Sequence, residues 1–387
     1  MTKRLATTIA TAAALLLCSG AAAQPKITQL YFDTRASFHQ EWNNGKYGSQ
    51  FTGDHFNLNV RGQLTEKLDF RIRQRLNKAV FDAKNIFNAT DFLYLRWQAT
   101  PKLALTAGKN ALFIGGYEFD AVPIDVYYYS NFCNNLYEGF SFGVNAEYEF
   151  LPGQVLAFQF CNSPLSLAFQ NIYAYNLAWF GHVMPWWSTI WSVNFVQDEY
   201  NRFINYIALG NRFIFGPLAI DLEWMNRAGM GQKRFFSDFT VISKIIWTVG
   251  KWNICAKGGY EENPWENVDT QGRALDLAVA PGTRNIYAGC GVEFFPLPDR
   301  DKLRLHAVYN ESHHPGVGIG EQRRVGNAGK DCHKGGKRAL FGYPPKPVQG
   351  AAYGCPVARG GASLGHACLV PRLGSLCSFY STLVRVW

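Results

Sequence analysis

From Leu30 onward, apolar residues recur at every second position over segments of about ten, punctuated by Gly, Pro, Asn and Asp. That is the period of a strand whose two faces meet different surroundings. In residues 55–65, Phe56, Leu58, Val60, Gly62 and Leu64 share one face, and Asn57, Asn59, Arg61, Gln63 and Thr65 share the other. Residues 138–150 repeat the scheme, with Phe140, Phe142, Val144, Ala146, Tyr148 and Phe150 opposite Ser141, Gly143, Asn145, Glu147 and Glu149. The pattern predicts strands near residues 30–40, 55–65, 68–77, 91–100, 103–110, 138–150, 155–162, 172–181, 189–197, 205–215, 218–225, 236–248, 252–261, 284–294 and 303–310.

The oily faces carry Phe, Tyr, Leu, Val and Trp, and the opposite faces carry Arg, Asp, Glu, Asn and Gln. A soluble sandwich or propeller also alternates, but its polar face is not set against so uniform an apolar one. Trp97, Trp186, Trp187, Trp191, Trp224, Trp247 and Trp252 stand near strand ends, where a membrane barrel keeps its interfacial girdles. The expected fold is therefore all-β, a transmembrane antiparallel β-barrel of about 16 strands. An antiparallel barrel with both ends on the periplasmic side needs an even number, so about fifteen strands leave the closing one missing or replaced.

Composition agrees. With 48% hydrophobic, 15% aromatic and 17% charged residues, the chain is neither disordered nor coiled-coil, and it differs from an ordinary cytosolic enzyme. Its 387 residues show no boundary between soluble domains. The formal charge of +9 is confined to the two ends. Lys3 and Arg4 contribute +2, residues 318–387 contribute +8, and residues 24–317 carry −1, which leaves no electrostatic footprint for nucleic acid. Lys3 and Arg4 precede an apolar run from Ile9 to Leu17 and the triplet Ala21, Ala22, Ala23, the order of a secretory signal peptide over residues 1–23. Leu17 before Cys18 speaks against lipidation, because a lipobox has a small residue there. Export without an apolar membrane helix points to the outer membrane of a Gram-negative-type bacterium, with its lipid as a partner.

Asp69, Arg71, Arg73 and Arg75 share one strand face, while Phe70, Ile72 and Leu76 take the other. Arg35, Arg61 and Arg96 fall on polar faces of neighbouring strands and widen this ladder into a basic pore-lining wall. Guanidinium groups stay charged at any relevant pH, so the wall attracts small anions. The alternative is that the arginines fill the lumen and pair with acids such as Asp69 and Glu66. The segment from Ala111 to Asn135 holds Gly115, Gly116 and Pro123 to bend it, Tyr127 to Tyr129, and the acids Glu118, Asp120 and Asp125. Folded into the pore it would be a constriction loop whose carboxylates oppose the arginines; otherwise it is a surface loop packed on its own aromatics.

The runs FTGDHFNLNVRGQLTEKLDFRIRQRLNK (residues 51–78), LYLRWQATPKLALTAGK (93–109) and GGYEFDAVPIDVY (115–127) resemble the phosphate-selective porin O and P family. The resemblance covers the first third of the mature chain well and the rest in texture only. It implies a barrel of about 16 strands, trimeric or monomeric, that passes small anions passively. It matches the family's arginine ladder at Arg71, Arg73 and Arg75, but implies lysines on the constriction loop for phosphate selectivity. Residues 110–135 contain no Lys or Arg, so mild anion preference is the expectation.

After Val317 alternation stops, and the last 70 residues hold 6 of the 59 aromatics. Pro344, Pro345 and Pro347 break any strand there, and Cys332, Cys355, Cys368 and Cys377 have no metal spacing. An aberrant, out-of-frame tail that displaced the closing strand is the expectation, with Phe379 to Trp387 as an improvised substitute whose Arg385 would spoil its lipid face. Gly361, Ala362, Ser363, Leu364 and Gly365 match a nucleophile elbow by chance, without its strand and helix. His306 on a polar strand face is the one candidate base, His313 and His314 lie at a turn, and Cys133, Cys161, Cys255 and Cys290 read as structural. No metal or cofactor is expected. The reading is a passive porin, with a barrel enzyme acting on lipid or a closed surface-binding barrel as alternatives.

Overall fold

The structure is a computed structural model that describes residues 25–43, 46–77, 86–122, 125–136, 139–165, 171–298, 302–313 and 374–386. Sixteen antiparallel strands close into one barrel, each paired with its neighbours in sequence and β1 paired with β16. They are β1 (Lys26–Asn43), β2 (Lys46–Thr65), β3 (Leu68–Arg75), β4 (Thr90–Thr100), β5 (Leu103–Ala111), β6 (Phe140–Leu151), β7 (Gln154–Asn162) and β8 (Tyr173–Met184). Then follow β9 (Trp187–Gln197), β10 (Phe203–Phe215), β11 (Leu218–Gly229), β12 (Phe239–Val249), β13 (Trp252–Asn263), β14 (Thr283–Phe294), β15 (Leu303–His313) and β16 (Gly374–Val386). All fifteen strands expected from alternation are present, within a few residues except that β2 begins nine residues before its expected start.

Closure leaves no open sheet edge, so the ladder N–H and C=O groups pair within the wall, the condition for a strand to cross hydrocarbon. The outer face is oily, with Leu95, Trp97, Val144, Leu177, Phe195, Leu222, Trp247, Trp252 and Ile254 all exposed. Trp97, Trp186, Trp247 and Trp252 ring the end with the short turns. Gly153, Gly216 and Gly250 turn three of those hairpins at φ 72°, 57° and 55°, where an L side chain is strained. Short turns mark the periplasmic end and the longer connections the extracellular end.

Of the two outcomes expected for the closing strand, missing or replaced from the tail, the structure has the second: Gly374–Val386, which overlaps the expected substitute Phe379 to Trp387, forms β16 and pairs with both β15 and β1. Its register sets Arg385 opposite Asp33 of β1. The signal segment and the tail up to residue 373, with the nucleophile-elbow match, lie outside the described residues.

The buried apolar core sits inside the barrel. Leu112, Ile114, Phe132 and Leu136 of the β5–β6 connection pack with Val196, Ile204, Tyr206, Ala208 and Met225 of the wall and with Ala278 and Val279 of the β13–β14 connection. This fills the sector under β7–β11 and leaves the β2–β5 sector lined by charged side chains with the Phe92 and Phe140 rings set among them.

Candidate functional site: a constricted, charged lumen

Register places the six sequence-identified arginines on the lumen face. Arg61 and Arg71 stand opposite each other on β2 and β3, Asn59 opposite Arg73, Asn57 opposite Arg75, and Asp69 opposite Arg96 on β4. Arg35 on β1 stands opposite His55. Their charges are not equally available. Arg73 and Arg75 share Asp91, at 2.8 and 2.6 Å, and both are buried. Arg35 reaches Asp54 at 3.3 Å and donates to the Val126 carbonyl at 3.1 Å. Arg96 meets Glu147 at 3.6 Å. Only Arg61 and Arg71 have no carboxylate within ion-pair distance among the described residues. Arg71 is held by stacking instead, its guanidinium carbon 3.7 Å from the Phe92 ring centre. Arg73 follows at 4.7 Å from Phe92 and 5.0 Å from Phe140, so cations and rings alternate up the ladder. The acids Asp69 and Glu66 are not the ladder's partners in this pairing.

Asp91 escapes strict alternation. Counting from Arg96, position 91 belongs to the lipid side, but the register shifts between Arg73 and Gln74, and this irregularity turns Asp91 inward.

The β5–β6 connection folds into the barrel rather than over its surface. Helices α1 (Tyr117–Asp120) and α2 (Asn131–Asn135) punctuate it. An amide row across three strands receives its start: Asn176 donates to Gln159 at 2.8 Å and Asn194 to Asn176 at 3.0 Å. Gln159 then accepts from the Phe113 N–H at 3.0 Å, and Asn194 donates to the Phe113 carbonyl at 2.7 Å. Next Gly116 meets Gly210 of β10 so closely that a methyl group at Gly210 would lie 3.0 Å from the Gly116 Cα. Glu223 on β11 accepts from the Glu118 N–H at 2.9 Å. The loop then crosses the lumen. Tyr127 donates to Glu293 of β14 at 2.6 Å, Tyr128 to the Lys257 carbonyl of β13 at 2.7 Å, and Asp125 pairs with Arg304 of β15 at 2.7 Å. Glu261 of β13 accepts from the first N–H groups of α2, at Asn131 and Phe132.

The three loop acids have separate fates. Glu118 is buried, ion-paired with Lys257 and hydrogen-bonded to the Ser130 hydroxyl at 2.6 Å. Burial opposes its charge, but the Lys257 ammonium and these hydrogen bonds hold its carboxyl below the usual range. Asp125 is spoken for by Arg304. Asp120 is exposed in the lumen beside Arg212 of β10, and burial of its surroundings pushes its carboxyl up. In a ring of sixteen strands β10 lies across from β2 and β3, so Asp120 and the Arg61–Arg71 pair occupy opposite walls.

The far wall holds residues that the sequence reading passed over. Arg212 forms a two-pronged pair with Asp221 at 2.6 and 2.8 Å and lies 4.2 Å from the Tyr117 ring centre. Lys257 supplies the loop with the cation its own sequence lacks, donating to the Tyr128 carbonyl at 2.7 Å. These residues fall on the inward rows of β10 and β13, so the alternation that found the ladder would have found them. A cavity of about 420 Å³ separates the loop from this wall, lined by Tyr117, Tyr127, Arg212, Lys244, Lys257 and Arg304.

His306 is buried with its ring 4.2 Å from that of Tyr127, which fixes the loop. Among the described residues no group of His, Cys, Asp and Glu has metal-site geometry, and Cys133, Cys161, Cys255 and Cys290 are free.

A closed sixteen-stranded barrel with an oily exterior and a loop folded across a charged lumen is an outer-membrane porin in architecture. Residues 32–170 match the family model described as phosphate-selective porin O and P, which bears out the resemblance over the stretch that carries the ladder and the loop. No curated protein matches the sequence. Solved structures similar in fold include OmpT, an outer membrane protein of Vibrio cholerae (in-vitro folded), at 8% identity and TM-score 0.52, covering 95% of this chain and 99% of that one. The outer membrane channel DcaP of Acinetobacter baumannii gives 10% identity and TM-score 0.52 over 76% and 92%. An anion-selective porin from Comamonas acidovorans gives 9% and 0.50 over 75% and 90%.

Proposed function

We propose that the protein is a passive outer-membrane porin for small hydrophilic solutes with a mild preference for anions, and that it performs no catalysis. The observation that carries this reading is the pairing pattern around the lumen: Arg61 and Arg71 face the open sector without carboxylate partners, whereas the loop acids Glu118 and Asp125 are bound to wall cations. A permeating anion meets two fixed positive charges on the near wall and Asp120 across from them. Arg35 and Arg96 each have a neighbouring carboxylate, and Arg73 and Arg75 share one, so these four shape the wall and contribute less field per charge. The solved relatives in fold include a channel described as anion-selective and an OmpT form described as a trimer, which supports the anion preference and a homotrimeric assembly for this chain.

The test is reversal potential across a KCl gradient with the refolded chain in a planar bilayer. Anion-selective steps whose selectivity falls in Arg61→Gln and Arg71→Gln support the reading. Cation-selective steps, or steps unaffected by either substitution, sink it.

A further inference from the structure

Outside the pore, the connection between β11 and β12 carries features the porin reading does not use. Residues 230–238 read Met-Gly-Gln-Lys-Arg-Phe-Phe-Ser-Asp, and they lie at the extracellular end. The segment is rigidly built. Gly231 turns at φ 86°, Gln232 accepts from the Gly229 N–H at 3.1 Å and donates to the Arg234 carbonyl at 2.8 Å, and Ser237 donates to the same carbonyl at 2.9 Å. At its end Asp238 pairs with the fully buried Arg227 at 2.6 Å, and Arg227 also holds Asp276 at 2.9 Å.

What this frame presents is mixed in character. Phe236 is 64% exposed and Phe235 43%, their rings edge to face at 4.9 Å. The Phe236 ring lies 6.1 Å from that of Trp224, which stands in register with Leu209 and Val241 on the lipid-facing side of the wall. Trp224 sits five positions before the end of β11, so the loop folds back along the outside of the barrel instead of rising away from it. Lys233 and Arg234, next to the two rings, are exposed, and neither has an ion pair among the described residues.

We propose that this loop is a docking surface for a phosphate-bearing lipid of the outer leaflet, with Phe235 and Phe236 in the acyl boundary and Lys233 and Arg234 on the headgroup phosphates. Two observations select this occupant. The rings continue the surface that already faces lipid, and the two unpaired cations sit where that surface meets the headgroup layer. A rigid loop also loses little conformational freedom when it binds. The proposal rests on the barrel's place in the membrane and not on pore selectivity.

The refolded full chain in micelles would be titrated with diphosphorylated lipid A and with the same lipid dephosphorylated, and bound lipid read by native mass spectrometry. Diphosphorylated lipid should be retained and its dephosphorylated counterpart lost. The double variant Lys233→Gln, Arg234→Gln should bind about 25-fold more weakly, near fivefold per charge. Its single-channel conductance should stay at the wild-type value, which separates this test from that of the pore. Phe235→Ser should weaken lipid binding and leave conductance unchanged. Equal retention of both lipids by wild type and double variant overturns the proposal. So does displacement of lipid A by inorganic phosphate at matched ionic strength with Phe235→Ser unaffected, since that outcome describes a free-anion site.

Discussion

Arg71 and Arg73 are two residues apart on one strand face, yet they occupy different physical situations. Arg71 keeps its charge toward the lumen and rests on a phenyl ring, whereas Arg73 is 2% exposed and shares a carboxylate with Arg75. Arg71→Gln should lower the anion-to-cation permeability ratio several-fold with the urea midpoint unchanged. Arg73→Gln should do the reverse, with little effect on selectivity and a stability loss of about 2 kcal/mol as Asp91 loses part of its neutralisation. Urea titration beside reversal potential separates the two. Alternation gave the arginines directly, because it needs only an unbroken strand. It did not give Asp91, because one register irregularity exchanged the faces of β4 at that point, and such a shift depends on how two strands pair. Lys257 behaves differently again. Its removal in Lys257→Met leaves Glu118 buried without its cation, and the loop should lose about 3 kcal/mol of anchoring, read as large current fluctuations in a bilayer.

Among the elements, the inward loop governs the passage. Its seat depends on the contact of Gly116 with Gly210, where no side chain fits. Gly210→Val should push the first half of the loop off β10 and raise single-channel conductance, with the barrel intact by heat-modified electrophoretic mobility. Acid should act on the same loop through Glu118. Because its carboxyl is held below the ordinary value, its ionic contribution is complete above about pH 4.3 and is lost as the pH falls through the lower folded value. Current fluctuations should therefore be quiet at pH 6 and grow below about pH 4; equal noise at both would contradict the anchor. The loop's length, glycines and acids were legible in the sequence as a candidate constriction. Its route was not, because it is fixed by the amide row of Gln159, Asn176 and Asn194, three residues that read as ordinary polar positions until their strands are laid side by side.

For the whole molecule, fifteen strands followed from the period of two and the sixteenth from the need for an even ring. Of the residues that form it, Phe379 to Trp387 were legible as a substitute, but the start of the strand at Gly374 was not. Gly374–Val386 lies in a stretch where alternation is weak, and its partners β1 and β15 are chosen by closure rather than by local pattern. Truncation after residue 373 should therefore leave β1 and β15 as open edges and abolish the heat-resistant compact form on a gel. A truncated chain that still resists heat would show that closure does not need β16.

The seam between β1 and β16 sets a timetable as well as a geometry. Phe32 pairs with Val386, the strand pairing with the largest sequence separation among the described residues. Neighbouring hairpins can form as soon as their own residues are available, but the ring can be completed only after the last strand has arrived. During that interval two unpaired edges are exposed to any other chain able to add a strand. The rate at which this protein reaches its membrane form should thus be limited by delivery of its C-terminal segment, and the risk of aggregation should scale with the delay before that segment pairs.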